Sequence, residues 1–421
     1  PPSQLFFKDY HNIIKNLPRS KNTCQEHNSF LPGRSLLSSI GRSGWKARNL
    51  THIPTVANMA NISTDSSNST CEGCISWVQA TYTSPKVMAV GIDIETCSRC
   101  DKPAILHQQY SGQHFCAFHL GQSIRKRVSK DLRNQLVLPK NAHHEDGRPY
   151  TILACISGGK DSAVLLDMLV DIIGKRRDVK IIAGCVDEGI DGYRSPSLEC
   201  ARELAESLSI EFITLSYEDM GYDRMDEVVR RMPIMAVNQD EAKGMMPCSY
   251  CGVFRRQSLN ALAQKVQADV MALGHNLDDM AQSILMNLQK GEIERSVRLA
   301  PHTDIPIEGL APRIVPLRWV PEQEIHAYAF AKGLPIHHGD CPHAPGAMRQ
   351  QSRAVVATLE AQSPGARHGL LHALEQIREL HREARGDHLS EVSNCQKCGE
   401  ITSRPICQSC TMKEWLAESS L

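Results

Sequence analysis

Apolar runs of strand length alternate with helically spaced stretches from residue 151 to about residue 345. Residues 151–156 form one such run, and residues 163–173 read as a helix buried on most of its face. Further strands are expected at 180–186, 210–215 and 270–273, with helices over 195–208 and 252–267. This alternation implies an α/β fold, a doubly wound parallel sheet covered on both faces. Open sheets of that kind bind ligands outside the C-terminal ends of their strands. The polar segments that follow strands, 157–162, 187–194 and 274–279, are therefore expected to share one crevice.

The flanks carry different patterns. Residues 1–87 are rich in Ser, Asn, Thr and Pro without sustained periodicity, and are expected to be a disordered extension. The chain opens on Pro1, and translation of the working protein is expected to start at Met88. Cys71 and Cys74 form a pair in this stretch with no partner pair at ligand spacing, and the sequons at Asn49, Asn61 and Asn68 lack a secretory signal. Residues 123–133 read as a basic helix with Ile124, Val128 and Leu132 on one side. Its basic face suits either contact with a phosphate backbone or plain solvation. Residues 350–390 are helical, with Leu370, Leu374, Ile377 and Leu380 on one side and Arg367, Arg378, Arg382 and Arg385 on others; the stripe is read as core or docking surface. The expected division is an extension (1–87), an N-terminal metal module with its basic helix (88–150), a catalytic domain (151–345), a helical segment (346–390) and a C-terminal metal ribbon (391–421).

Lys plus Arg and Asp plus Glu each total 47 in the 421 residues, so any nucleic-acid patch must be local. No apolar run approaches the roughly 20 residues of a membrane span, and no signal-peptide pattern opens the chain. Of the 16 cysteines, most stand in Cys-x-x-Cys pairs, which suits metal thiolates in a reducing compartment better than disulfides. A cytoplasmic protein that does not engage membranes is expected.

The candidate chemistry begins at Ser157-Gly158-Gly159-Lys160-Asp161-Ser162, between the first strand and its helix. Free backbone N–H groups and the positive end of a helix dipole favour a phosphate there. Glycines let the backbone approach closely and take positive φ. Lys160 adds a charge, and Ser157 and Ser162 add donors. The spacing is too short for the P-loop of kinases and GTPases. Cys97, Cys100, Cys116 and His119 match a Cys₃His structural zinc site, and Cys395, Cys398, Cys407 and Cys410 a compact Cys₄ ribbon. Cys248, Cys251 and Cys341 have no fourth cysteine at matching spacing. Three thiolates suit an iron–sulfur cluster with one open iron, or a persulfide pair with a resolving thiol, and the residues leave both open.

The Ser-Gly-Gly-Lys-Asp-Ser loop resembles the SGGxDS loop of the PP-loop ATP pyrophosphatases, whose fold is adenine nucleotide alpha hydrolase-like. Added to it are Pro247-Cys248-Ser249-Tyr250-Cys251-Gly252, Gly274-His275-Asn276-Leu277-Asp278-Asp279, Asp340-Cys341-Pro342 and the two small flanking zinc modules. Over residues 95–412 this order resembles the tRNA 2-thiolation enzymes of the TtcA/TtuA group, nearest to the archaeal and eukaryotic cytosolic 2-thiouridine synthetases of the NcsA type. The resemblance implies ATP on Ser157, Gly158, Gly159, Lys160, Asp161 and Ser162; the shared crevice adds Asp187, Gly274 and His275 as expected nucleotide-binding residues. It implies a [4Fe-4S] cluster on Cys248, Cys251 and Cys341, two Zn²⁺ in the flanking modules, Mg²⁺ with the ATP, and a catalytic Asp279. Arg255 stands where the T-loop enzymes carry a lysine, and residues 187–194 look like the wobble-uridine branch. The reaction implied is adenylation of a uridine C2 oxygen and its replacement by sulfur, at wobble uridine 34 in preference to T-loop uridine 54 or cytidine 32. The partners implied are tRNA and a sulfur donor, either a ubiquitin-like thiocarboxylate protein or inorganic sulfide. Homodimeric and heterodimeric assembly both stay open.

Two other readings compete. An ammonia-using PP-loop ligase or amidotransferase has no need of the three internal cysteines. A zinc-ribbon tRNA-binding scaffold with an inactive ATP site has no need of an intact loop.

Overall fold

A short antiparallel hairpin, β1 (Leu106–Gln108) and β2 (Gln113–Phe115), precedes helix α1 (Ala117–Gln135) in the computed structural model, which describes residues 95–303, 307, 309–345, 348–385 and 393–419. The sequence expectations for residues 1–87, Met88, the Cys71 and Cys74 pair and the sequons lie outside the described residues. The chain continues through β3 (Tyr150–Cys155), α2 (Lys160–Ile173), β4 (Val179–Asp187), α3 (Arg194–Ser207), β5 (Glu211–Ser216), α4 (Met225–Asn238) and α5 (Pro247–Lys265). It then forms β6 (Val270–Leu273), α6 (Leu277–Gln289), α7 (Ile293–Val297), β7 (Arg313–Ile314), α8 (Glu322–Lys332), α9 (Met348–Gln362) and α10 (Ala366–Arg385). A hairpin of β8 (Ser393–Asn394) and β9 (Ile401–Thr402) and helix α11 (Gln408–Glu418) complete it.

The central sheet has the order β5-β4-β3-β6-β7 and is parallel throughout. Strand periodicity sorts its side chains between two layers. Ile152 and Ala154 of β3, Ala183 of β4 and Val270 and Ala272 of β6 join the core formed with α1, α2, α3 and α8. Leu153, Ile182 and Met271 point the other way, onto Leu262 and Ala263 of α5. Burial on both faces is why these strands read as continuous apolar runs. The chain leaves β3 toward β4 and β5, then returns to β6 on the opposite side. The loop after β3 therefore opens at the topological switch point.

Ile124, Val128 and Leu132 of α1 are all buried, as their spacing required. Each such aliphatic contributes on the order of 1.5–3 kcal/mol by leaving water. Arg127 on the same helix turns inward to Glu324 and to Tyr110 Oη at 3.0 Å, so it is withdrawn from the basic face. Buried Glu324 also accepts from Gln108 and Tyr110, both at 2.8 Å, and so docks the β1–β2 module onto α8.

Three local expectations need correction. Helix α5 starts at Pro247, not near 252, because proline at the first helical position is pre-set for the helix; this puts Cys248 in its first turn and Cys251 at the start of the second. The C-terminal helical stretch is two helices, broken at Ser363-Pro364-Gly365. Its buried stripe contains Arg367, Leu371 and Leu374, whereas Leu380 is 63% exposed. Leu371 and Leu374 pack on Leu277, Met280 and Ile284 of α6. Finally, β7 went unread because two residues are too short for a periodic signal. Among the described residues, no helix is long and apolar enough to cross a membrane.

Candidate active site

Residues 157–162 bend from β3 into α2. Gly158 adopts φ 81°, and a Cβ there would sit 1.9 Å from the carbonyl oxygen of Ser197, so only glycine fits. Gly158→Ala is expected to cost about 3 kcal/mol or more of stability, measured as a fall in the urea midpoint. An unchanged midpoint would mean that the loop is laid out differently. Gly159 caps α2 without a side-chain hydrogen bond, leaving the first-turn N–H groups of Lys160, Asp161 and Ser162 to an anion from outside. Ser162 Oγ accepts from Ser157 N at 3.0 Å and donates to the Gly159 carbonyl at 2.9 Å, which holds the loop open. These features fit a triphosphate.

Lys160 Nζ lies 3.0 Å from Asp161 Oδ2 and 2.8 Å from Glu322 Oε1. Burial works to lower its pKa, but the two carboxylates outweigh burial and hold it raised. Burial also raises Asp161, against the pull of Lys160. From β6 the chain enters α6 through a capping box in which Asn276 and Asp279 exchange hydrogen bonds. Asn276 Nδ2 then donates to Asp161 Oδ1 at 2.8 Å, joining the segments after β3 and β6. Gly274 permits this approach, since a Cβ there would come within 3.2 Å of Asp161 and Ser162 backbone atoms. His275, two residues past β6, is exposed. Asp279 Oδ1 accepts from Arg349 at 2.9 Å.

The segment after β4 joins the phosphate loop through Arg194 and lines a cavity with residues that follow β5. Asp187 accepts from the Gly189 N–H at 2.9 Å and lines a polar cavity of 210 Å³ with Asp191, Ser216 and Arg224. Buried Glu188 faces two arginines. Its Oε2 lies 2.7 Å from Arg194 Nε, an ion pair not aligned as a hydrogen bond, and its Oε1 accepts from Arg255 Nε at 2.7 Å. Arg194 Nη1 donates to the Ser157 carbonyl at 3.0 Å, and Arg255 Nη2 to Cys251 Sγ at 3.2 Å. A continuous charged chain thus runs from the phosphate loop to a cysteine. The Arg255 side chain is half-exposed; the partial desolvation of its guanidinium opposes the charge, but Cys251 and Glu188 beside it override this and hold its pKa well above the ordinary value.

Cys251 and Cys341 pack against the same apolar cluster of Tyr217, Tyr250 and Phe254. Burial raises the Cys341 thiol, and Cys251 and Cys248 raise it further by their charge. Tyr217 Oη also reaches Cys251, 2.9 Å from its carbonyl oxygen and 3.4 Å from its sulfur. Cys248 lies three residues before Cys251 on α5, and Cys251 and Cys341 border one apolar cluster, but the three sulfurs do not all lie within 4.8 Å of one another. Their all-thiol donor set suits an iron–sulfur cluster.

Two groups meet that closer limit among the described residues: Cys97, Cys100, Cys116 and His119, and Cys395, Cys398, Cys407 and Cys410. Cys100 and Cys116 sulfurs are 3.8 Å apart, and Cys398 and Cys407 sulfurs 3.6 Å. Metal–sulfur bonds of about 2.3 Å in a tetrahedron demand separations near these. Cys97 is lowered to about 6, because backbone hydrogen bonds from Cys116 and Arg99 outweigh burial. Cys395 falls to about 6 in the same way, through N–H groups of Cys407 and Lys397. Both quartets fit a single metal ion each. Gln257 of α5 points its amide at Cys398 and Cys407, at 3.8 and 3.7 Å, and so ties the C-terminal quartet to the helix bearing Cys248 and Cys251.

Several site residues escaped the sequence reading. Glu188 and Arg194 lay inside a segment already singled out, but nothing marked them as a bridge. Buried Arg367 donates to Asp278 at 2.6 Å, and Asp278 accepts from the Glu322 N–H at 2.8 Å, which aims Glu322 at Lys160. Proline at 321, just ahead of an acidic helix start, was the one local hint of Glu322.

Residues 133–338 match the family model for the PP-loop domain, and residues 96–120 match that for the 2-thiouridine synthetase TtuA, N-terminal LIM domain. The tRNA 2-thiolation protein NcsA of Haloferax volcanii is 38% identical over 328 residues, covering 76% of this chain and 98% of the relative. The cytoplasmic tRNA 2-thiolation protein 1 of Danio rerio is 31% identical, covering 76% and 88%. The solved U34-tRNA thiolase NcsA of Methanococcus maripaludis with its [4Fe-4S] cluster superposes with a TM-score of 0.60 at 27% identity, covering 77% of this chain and 97% of that one.

Proposed function

This chain belongs to the tRNA 2-thiolation proteins built on the PP-loop domain, and on that premise we propose that it thiolates the wobble uridine at position 34 of tRNA in the cytoplasm. The observation that carries the reading is the chain Ser157–Arg194–Glu188–Arg255–Cys251, which ties a triphosphate cradle to a thiol within one crevice. Activation and sulfur delivery need that adjacency, because an adenylated base exposed to water would hydrolyse.

The uridine C2 oxygen attacks the α-phosphorus of ATP. The new O–P bond forms as the bond to the β-phosphate breaks, pyrophosphate leaves with the electron pair, and the N3 proton is lost. Hydrosulfide then adds at C2, the C–O bond to AMP breaks, and N3 regains a proton. Uridine, ATP and hydrosulfide thus become 2-thiouridine, AMP and pyrophosphate, with one proton released. The first-turn amides of α2 with Lys160 hold the phosphates, and Asp161 and Asp279 are the carboxylates for Mg²⁺. Asp279 acts at the activated base, and Arg255 orients the Cys251 sulfur by donating to it. Cys248, Cys251 and Cys341 would hold a [4Fe-4S] cluster, which when bound supplies an open iron for the incoming sulfur. Zn²⁺ suits both quartets. The sulfur donor is inorganic sulfide, or a ubiquitin-like thiocarboxylate protein whose C–S bond water breaks to leave a carboxylate, hydrosulfide and a proton.

One observation favours a second reading, thiolation at another position: the 96–120 match is to a module named for the 2-thiouridine synthetase TtuA, not for NcsA. Anaerobic incubation of the full chain with bulk tRNA, ATP and sulfide, followed by mass spectrometry of tRNA fragments, separates them. Thiouridine at position 34 is the expected result; sulfur at position 54 or 32, or none, rejects it.

The exposed face of α1 presents Gln122, Arg125, Lys126, Ser129 and Arg133 around a recess of 570 Å³, and this surface is assigned to the tRNA backbone. Replacing Lys126 and Arg133 together by glutamine is expected to lower the slope of log K against log salt by about 1–2, measured by fluorescence anisotropy. A slope equal to wild type assigns α1 to solvent alone.

A further inference from the structure

Helix α9 lies beyond the matched PP-loop domain, yet it lays two arginines across the mouth of the phosphate site. Its buried edge is Ser352, Val356 and Glu360. Glu360 accepts from the N–H groups of Gly365 and Arg367 at 2.9 and 3.0 Å, which fixes the turn into α10. Arg349 and Arg353, four residues apart, share another side. Arg349 reaches Asp279 at 2.9 Å and Ser283 Oγ at 3.2 Å. Arg353 reaches both oxygens of Glu322, at 2.8 and 2.7 Å. The same Glu322 holds Lys160, and Lys160 holds Asp161. Both arginine side chains stay substantially exposed, at 47% and 63%, so they can swing without unpacking the helix.

We propose that Arg349 and Arg353 form a pyrophosphate clamp: with ATP in the crevice, they turn from Asp279 and Glu322 to the β- and γ-phosphate oxygens. This rests on the ATP-dependent reading above and adds two residues to it. The physical argument is one of charge. A triphosphate approaching Lys160 meets Asp161, Asp279 and Glu322, and repulsion would oppose it unless cations accompany it. Arginine matches phosphate oxygens in a planar fork, and a surface-exposed pair to a carboxylate is cheap to exchange. When the bond between the α-phosphorus and the bridging oxygen breaks, the electron pair and negative charge pass to pyrophosphate. A clamp on the leaving group stabilises that charge as it develops.

The test compares the full-length wild type with R349A, R353A and the double variant, measuring Mg²⁺-dependent binding of ATP, inorganic pyrophosphate and AMP by calorimetry. The double variant is expected to weaken ATP and pyrophosphate by about 10- to 100-fold, while AMP, which lacks the contacted phosphates, moves less than about 2-fold. Equal loss for all three ligands overturns the clamp, because it reports a deformed pocket. So does unchanged binding of pyrophosphate. R353A combined with E322Q separates clamp from counter-ion: the deficit persists if Arg353 contacts phosphate, and recovery to wild type overturns the proposal. Wild type that binds no ATP at all overturns the parent reading and the clamp with it. Wild type that binds ATP tightly beside unaffected arginine variants rejects the clamp alone.

Discussion

Asp161→Ala is expected to lower tRNA-dependent ATP–pyrophosphate exchange by about 10³-fold, while tRNA affinity changes less than about 2-fold. Asp161 sits where three parts of the crevice meet. One carboxylate oxygen accepts from Asn276, on the segment after β6, and the other from Lys160. Alanine leaves Lys160 with Glu322 as its remaining acid, frees the Asn276 amide, and removes a ligand proposed for Mg²⁺. Asp161→Asn keeps an acceptor for Asn276 but not the charge. If charge is the essential property, it fails as badly as alanine; if scaffolding is, it recovers most of the exchange. The α1 surface assigned to tRNA belongs to a different element, so anisotropy with labelled tRNA should register little. Normal exchange in the alanine variant would show that the phosphate site has been misassigned.

Cys341→Ser should abolish 2-thiouridine formation, a loss of about 10³-fold or more, and remove the brown absorbance of anaerobically purified protein. Exchange of pyrophosphate into ATP should survive, because that step needs no sulfur. Cys341 and Cys251 border the same apolar cluster, so serine changes one atom in a partly buried site. What changes is the donor: a hydroxyl is a hard, weakly acidic ligand where iron requires a thiolate. A serine variant that keeps its chromophore, or a colourless wild type with full thiolation, would reject the cluster and turn attention to a persulfide. Loss of exchange together with thiolation would mean instead that the substitution disturbs the Glu188–Arg255 link.

Much of this molecule was legible along the chain because its signals are local. A strand, two glycines and a helix start are contiguous, and that contiguity alone creates an uncapped helix N-terminus facing a phosphate. Ile124, Val128 and Leu132 are buried because a four-residue spacing places them on one face whatever surrounds them. The metal quartets follow from cysteine spacing over short loops. The paired arrangement that makes a working crevice followed different rules. Arg194 meets Ser157 across 37 residues, Arg255 meets Glu188 across 67, and Lys160 meets Glu322 across 162. Arg367 fell outside the leucine stripe read along the sequence, yet it is buried and donates to Asp278, 89 residues away. Periodicity tells a residue which side of its own element it occupies. Only the sheet order, with β3 between β4 and β6, determines which strand ends meet, and therefore which charges neutralise each other there.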